Sequence, residues 1–231
     1  MGAIASAMQD VRARIAGACR DAGRPQAEVS LLAVSKTFPA AAIREAWAAG
    51  QRHFGESYLQ EALAKMAELA DLDIEWHFIG PIQANKTRPI AEHFHWVHAV
   101  DRLRIAERLS DQRPPGLPPL RVCVQVNVSG EPSKHGVAPD EVLELAAAVA
   151  GLPGIRLRGF MAIPAPEARV DRQRAQFRVL ADLLRAARAR GLDLDTLSMG
   201  MSDDMEAAIL EGATIIRIGT AIFGRRRTWG R

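Results

Sequence analysis

The sequence predicts an α/β fold, a (β/α)8 barrel of the TIM type with an extra N-terminal helix. Three observations lead there. Short β-rich runs alternate with longer Ala-rich runs bearing Arg and Glu at helical period, the signature of βα units and a parallel sheet. Eight β runs can be counted, and 231 residues fall between the ~200 such a barrel needs and the ~250 that is typical. The first run ends Ser35-Lys36-Thr37-Phe38-Pro39, and neither a G-x-G-x-x-G turn nor a Walker A pattern occurs anywhere. That counts against an open doubly wound sheet, which usually carries a Gly-rich phosphate turn after its first strand.

Taken in order, Ile4, Met8, Val11, Ile15 and Cys19 stand three or four apart and form one stripe of an opening helix. With its linker, this helix occupies residues 1–29 and packs on the barrel. The β runs cover residues 31–36, 53–55, 76–80, 96–100, 122–128, 157–163, 196–199 and 215–219. Helical patterns cover 40–49, 57–69, 102–109, 139–150, 171–190 and 203–210. The Pro-rich stretch 113–119 reads as a surface loop before the fifth strand. As a domain boundary it would leave four strands on each side and no closed core, so residues 1–231 are expected to form one domain.

Composition excludes several function classes. Net charge is only +3, and the basic tail Arg225, Arg226, Arg227 and Arg231 has no aromatic interleaving beyond Trp229, so no nucleic-acid partner is expected. Cys19 and Cys123 make no C-x-x-C pair. No apolar run approaches the ~18 residues of a membrane span, and the start lacks a secretory signal's apolar core. A cytoplasmic protein with no membrane partner is expected. His93 and His95 fall on one strand-like face and His98 on the other, which argues against a shared metal. Lysine occurs only at Lys36, Lys65, Lys86 and Lys134, and tyrosine only at Tyr58. These counts limit any mechanism that needs either residue.

Barrel chemistry sits at the carboxyl ends of the strands. There Lys36 shares a face with Leu32 and Val34 by period-2 alternation and projects into the mouth. Desolvation would favour its neutral amine, a nucleophile for carbonyls; the alternative is a lysine reaching past the strand end to water. Lys65, in a helical pattern, is expected at the surface, while Lys86 and Lys134 remain possible anion contacts. The turns Ser198-Met199-Gly200-Met201-Ser202 and Ile218-Gly219-Thr220 bring small residues, hydroxyls and backbone N–H groups to the last two strand ends, where barrels commonly bind phosphate. Tight-turn glycines with Ser202 as a helix cap are the plainer reading. Arg217 is a charge inside the otherwise apolar Ile215-Ile216-Arg217-Ile218 and needs an acceptor: a carboxylate, a phosphate or a ring nitrogen.

A Schiff-base lysine, a phosphate cup and an arginine in one mouth are what pyridoxal 5′-phosphate (PLP) requires. The runs Leu32-Ala33-Val34-Ser35-Lys36-Thr37, Phe54-Gly55-Glu56-Ser57-Tyr58, His77-Phe78-Ile79-Gly80-Pro81-Ile82-Gln83-Ala84-Asn85-Lys86, Val126-Asn127-Val128-Ser129, Gly159-Phe160-Met161-Ala162-Ile163, Ser198-Met199-Gly200-Met201-Ser202 and Arg217-Ile218-Gly219-Thr220 together resemble the pyridoxal phosphate homeostasis protein family, in order over nearly the whole chain. The resemblance implies a single-domain barrel related to the amino-terminal domain of alanine racemase, with Lys36 carrying PLP. It implies that Ser202, Gly219 and Thr220 hold the phosphate, that Arg217 faces the pyridine nitrogen, and that Met201 and Ser57 belong to the cofactor site. The family usually has Asn in place of Ser57, whose shorter side chain lacks the amide.

An arginine facing the ring nitrogen cannot give up its proton, so the ring is a weaker electron sink than one paired with Asp. The resembled racemase takes its second base from a tyrosine in a separate domain, for which eight βα units leave no residues here. A monomeric, non-enzymatic PLP carrier passing its cargo to PLP-dependent acceptor enzymes is therefore expected. The alternative is a weak PLP-dependent amino-acid racemase.

Overall fold

The computed structural model describes residues 2–131 and 135–224; Lys134 and the arginines of the tail lie outside the described residues. Eight parallel strands, β1 (Ser30–Val34), β2 (His53–Glu56), β3 (Glu75–Phe78), β4 (Trp96–Val100), β5 (Leu120–Gln125), β6 (Ile155–Met161), β7 (Thr196–Ser198) and β8 (Ile215–Ile218), pair in chain order. β8 returns to β1 with Leu32 opposite Arg217, which closes the barrel. The helices are α1 (Ala3–Asp21), α2 (Ala40–Ala48), α3 (Leu59–Glu68), α4 (Thr87–His93), α5 (Leu103–Asp111), α6 (Val142–Ala150), α7 (Val170–Ala189), α8 (Met205–Leu210) and α9 (Thr220–Phe223). None of the described helices is long and apolar enough to cross a membrane.

The stripe read in the opening segment is the buried face of α1, where Met8, Val11, Ile15, Ala18 and Cys19 are covered. It packs on α2, α8 and α9, the helices beside the β8–β1 closure, and so keeps the last two strand ends in place. Burial of Met8, Val11 and Ile15 contributes about 1.5–3 kcal/mol each.

Three expectations are corrected. Six of the strands end sooner than their β runs, all but β2 and β4: β1 stops at Val34, and Phe38 N donates to Ser35 O at 3.1 Å. Lys36 therefore stands in a turn, followed by Thr37 in the left-handed region at φ 69°. A helix not read from the sequence, α4, fills the third connection. Its Pro89 lies in the first turn, where helix N–H groups have no intrahelical partner in any case. Finally, Lys65 is not at the surface but is 5% exposed, because it lies on the same stripe of α3 as Leu59 and Ala62, continued by Leu69 just past the helix end. The loop 113–119 does join α5 to β5, tied down by Arg113, which donates to Phe94 O at 2.9 Å and Pro118 O at 2.8 Å.

Candidate binding site at the barrel mouth

A cavity of about 220 Å³ opens at the carboxyl ends of the strands. Lys36, Met201, Ser202, Arg217, Gly219 and Thr220 all line it, against apolar walls from Val34, Phe38, Ile79 and Ile163, with Asp203 at its rim. Six of the seven residues singled out in the sequence thus share one cavity. Ser57 does not line it: it is half-buried beyond β2, where Gly80 backs so closely that a Cβ there would stand 2.3 Å from Ser57 O.

The turn bearing Lys36 is held from beneath. Lys65 Nζ donates to Ser35 O (2.9 Å), Glu56 Oε1 (2.8 Å) and Glu61 Oε1 (2.5 Å). Ser35 Oγ also donates to Glu56 Oε1 at 2.6 Å, and Thr37 N to Glu61 Oε1 at 2.6 Å. One ammonium therefore ties α3, β2 and the β1 turn together. Burial pushes the Glu56 carboxyl upward against the opposing pull of Lys65, and Glu56 Oε2 is buried without a hydrogen-bond partner among the described residues.

On the opposite side of the mouth, the hydroxyls of Ser202 and Thr220 lie 3.2 Å apart. Asp204 Oδ1 accepts from Met201 N at 2.5 Å and folds this loop, with Asp204 rather than Ser202 preceding α8. Gly200 sits at φ 93°, and a Cβ there would come 2.6 Å from that of Ala208, so only glycine fits the turn. α8 and α9 have six and four residues. This wall of the cavity accordingly offers hydroxyls and turn backbone rather than long helix dipoles.

Arg217 is 4% exposed. Its Nη1 donates to Ser198 Oγ at 2.8 Å and its Nη2 to Ala162 O at 2.9 Å, so its protein acceptors are a hydroxyl and a carbonyl, not the carboxylate the sequence reading allowed. Burial pushes its pKa down to about 10, which leaves it charged at neutral pH. Behind it, His98 and His77 continue toward the amino ends of the strands, ending at Glu75.

The alanine racemase N-terminal domain family matches residues 8–227. A relative from Pseudomonas aeruginosa, named pyridoxal phosphate homeostasis protein, is 66% identical over 226 residues, 98% of this chain and 97% of its own length. The chain belongs to the pyridoxal phosphate homeostasis protein family. Among solved structures, that of PipY from Synechococcus elongatus PCC7942 with PLP bound is 40% identical, with a TM-score of 0.84 over 96% of this chain and all of that one. Alanine racemase from Corynebacterium glutamicum, at 19% identity and TM-score 0.68 over 99% of this chain and 62% of that one, shares the fold.

For this member of the family, sequence reasoning missed the Lys65 network. The signal was present: Ala62, Lys65 and Leu69 follow the three- and four-residue steps of a buried stripe. The histidine expectation also needs correcting. His93 ends α4 rather than lying on a strand, and His98 is buried within β4. Among the described residues, the His and Glu side chains that do converge are His53, Glu75 and His77. There Glu75 already accepts from Trp96 Nε1 at 2.9 Å and Arg121 Nη2 at 2.5 Å, and a guanidinium beside the carboxylate disfavours a dication.

Proposed function

We propose that this chain binds pyridoxal 5′-phosphate in the barrel mouth, held on Lys36 as a Schiff base, and serves PLP homeostasis by releasing it or passing it to PLP-dependent acceptor enzymes. The observation that carries this reading is the convergence of Lys36, Ser202, Gly219, Thr220 and Arg217 on one cavity. Its volume of about 220 Å³ is below the roughly 300–1,000 Å³ of drug-sized sites and suits one substituted ring. When bound, the cofactor supplies an aldehyde that condenses with an amine, C=N replacing C=O with loss of water.

The residues present fit that group. Lys36 offers the amine on one wall. Across the cavity, Ser202 and Thr220 present hydroxyls to a phosphate, and Met201 and Gly219 supply turn backbone beside them. Arg217, a donor-only side chain, suits a ring nitrogen that accepts, and keeping that nitrogen unprotonated weakens the ring as an electron sink. Val34, Phe38, Ile79 and Ile163 would flank the ring with apolar surface. Ser57 does not line the cavity, and no contact with the cofactor is proposed for it.

A carrier role is supported by the cavity's ionisable lining, which consists of Lys36, Arg217 and Asp203. Tyr58, 52% exposed, does not line it, so no tyrosine faces Lys36 as a second base would. The fold shared with alanine racemase favours the rival reading, a weak racemase. Exchange of amino-acid α-protons in deuterated solvent separates the two. The carrier reading expects no exchange above trace rate, together with reactivation of a PLP-free acceptor enzyme by the loaded protein. Sustained exchange with any common amino acid would overturn it.

A further inference from the structure

The mouth uses Arg217 but does not explain why three polar side chains behind it are buried. Ser198 and His98 are fully covered and His77 is 2% exposed. They form one line across four strands. Arg217 Nη1 lies 2.8 Å from Ser198 Oγ, which lies 2.7 Å from His98 Nδ1. His98 Nε2 lies 2.9 Å from His77 Nδ1, and His77 Nε2 lies 3.2 Å from Glu75 Oε1.

Counting protons gives the line one direction. Arg217 can only donate, so Ser198 accepts from it and must place its own hydrogen on His98 Nδ1. His98 then carries its proton on Nε2 and donates to His77 Nδ1, and His77 carries its proton on Nε2 and donates to the Glu75 carboxylate. The opposite tautomers would leave the Ser198 hydrogen without an acceptor in the line. They would also set a bare imidazole nitrogen against a carboxylate oxygen. Burial supports neutral rings, pushing His77 down to about 4 and His98 well below its ordinary value. Trp96 stacks on His77 with the planes 6° apart and fixes the ring's tilt.

At the far end Glu75 is anchored by Arg121, Trp96 and His53. It sits beside a second cavity of about 60 Å³ at the amino ends of the strands. The line thus joins the floor of the barrel to the mouth, with an acceptor-only group at one end and a donor-only group at the other.

We propose that Glu75, His77, His98 and Ser198 are positioning residues for the cofactor site: their one-way hydrogen-bond line sets the orientation and donor strength of Arg217 toward the ring nitrogen. This rests on the PLP reading above, and the floor thereby tunes the mouth without touching the ligand. Two measurements test it. Nitrogen-15 NMR of the histidine rings in the PLP-free protein at neutral pH is expected to show His77 and His98 neutral, each with its proton on Nε2. A charged ring or an Nδ1–H tautomer at either position overturns the line whether or not PLP binds. In the PLP-loaded protein, Glu75→Gln and Ser198→Ala are each expected to move the visible absorption maximum and weaken PLP affinity three- to tenfold, while the cofactor stays on Lys36. Variants that melt lower yet keep the parent spectrum and affinity show a merely structural role and overturn the proposal. Where Glu75→Gln does not fold, Ser198→Ala and the tautomers decide. Failure of the parent to take PLP on Lys36 defeats the functional reading instead, and the tautomers still judge the line itself.

Discussion

At the mouth, Ser202, Thr220, Lys36 and Arg217 edge a cavity of about 220 Å³, whereas at the floor His53, Glu75 and Trp96 close around one of about 60 Å³. The floor carboxylate receives His53, Trp96 and Arg121 in addition to the His77 that ends the buried line. The hydroxyls of the mouth instead face each other at 3.2 Å and can turn to a ligand. Polar groups alone therefore do not mark a binding site. At the floor, and at Lys65, hydrogen-bonding capacity is consumed by protein partners, and the result is rigidity; on the proposed reading the hydroxyls of Ser202 and Thr220 would turn to a phosphate instead.

The largest effect is expected beneath the mouth. Lys65→Ala leaves Glu56 buried beside no cation, and removing one partner of a buried pair costs about 3–5 kcal/mol, read by denaturant unfolding. A loss below about 1 kcal/mol would show that the network does not hold the Lys36 turn.

Next is the floor's response to acid. His77 has its folded pKa lowered to about 4 by burial, from 6.5, so between these values the unfolded chain binds the extra proton and stability rises with pH. Over that window the loss on acidification amounts to roughly 3 kcal/mol, with His98 shifted in the same direction. Glu75, held well below the usual carboxylate range despite burial by its hydrogen bonds from His53, His77 and Arg121, extends the loss below about 4.5. Unfolding curves flat from pH 4 to 6.5 would contradict neutral buried imidazoles.

The mouth should behave in reverse. The double substitution Ser202→Ala, Thr220→Ala is expected to change stability little but to weaken PLP binding about 10- to 100-fold, since hydrogen bonds to charged groups contribute about 1.5–3 kcal/mol. Equilibrium titration checks it, and an unchanged affinity would remove the phosphate from this wall. The smallest effect is at the rim, where Asp203→Asn should tighten PLP binding about twofold at low salt and less at high salt, because exposed charges are screened.

How much of this was legible in the sequence follows from the range of each signal. Alternation of β and helical runs carried the barrel, and period-2 alternation carried Lys36 into the mouth beside Val34, even though β1 ends before Lys36. Small residues at the last two strand ends marked the Ser202 and Thr220 wall. Lys65 escaped because its charge argues for solvent, although its position falls on the apolar stripe of α3. α4 escaped because Pro89 reads as a breaker unless its first-turn position is known. The buried line had no local signal at all. His98 and Ser198 stand 100 residues apart, and only barrel closure brings β3, β4, β7 and β8 onto one polar axis. Glu75 lay one residue before the predicted run 76–80, so its role as anchor was invisible.

Borohydride reduction of the PLP-loaded protein followed by peptide mass analysis decides whether PLP is held on Lys36. A single pyridoxyl adduct on Lys36, lost in Lys36→Ala, is the predicted result. An adduct on Lys65, Lys86 or Lys134, or no adduct on any lysine, would contradict it.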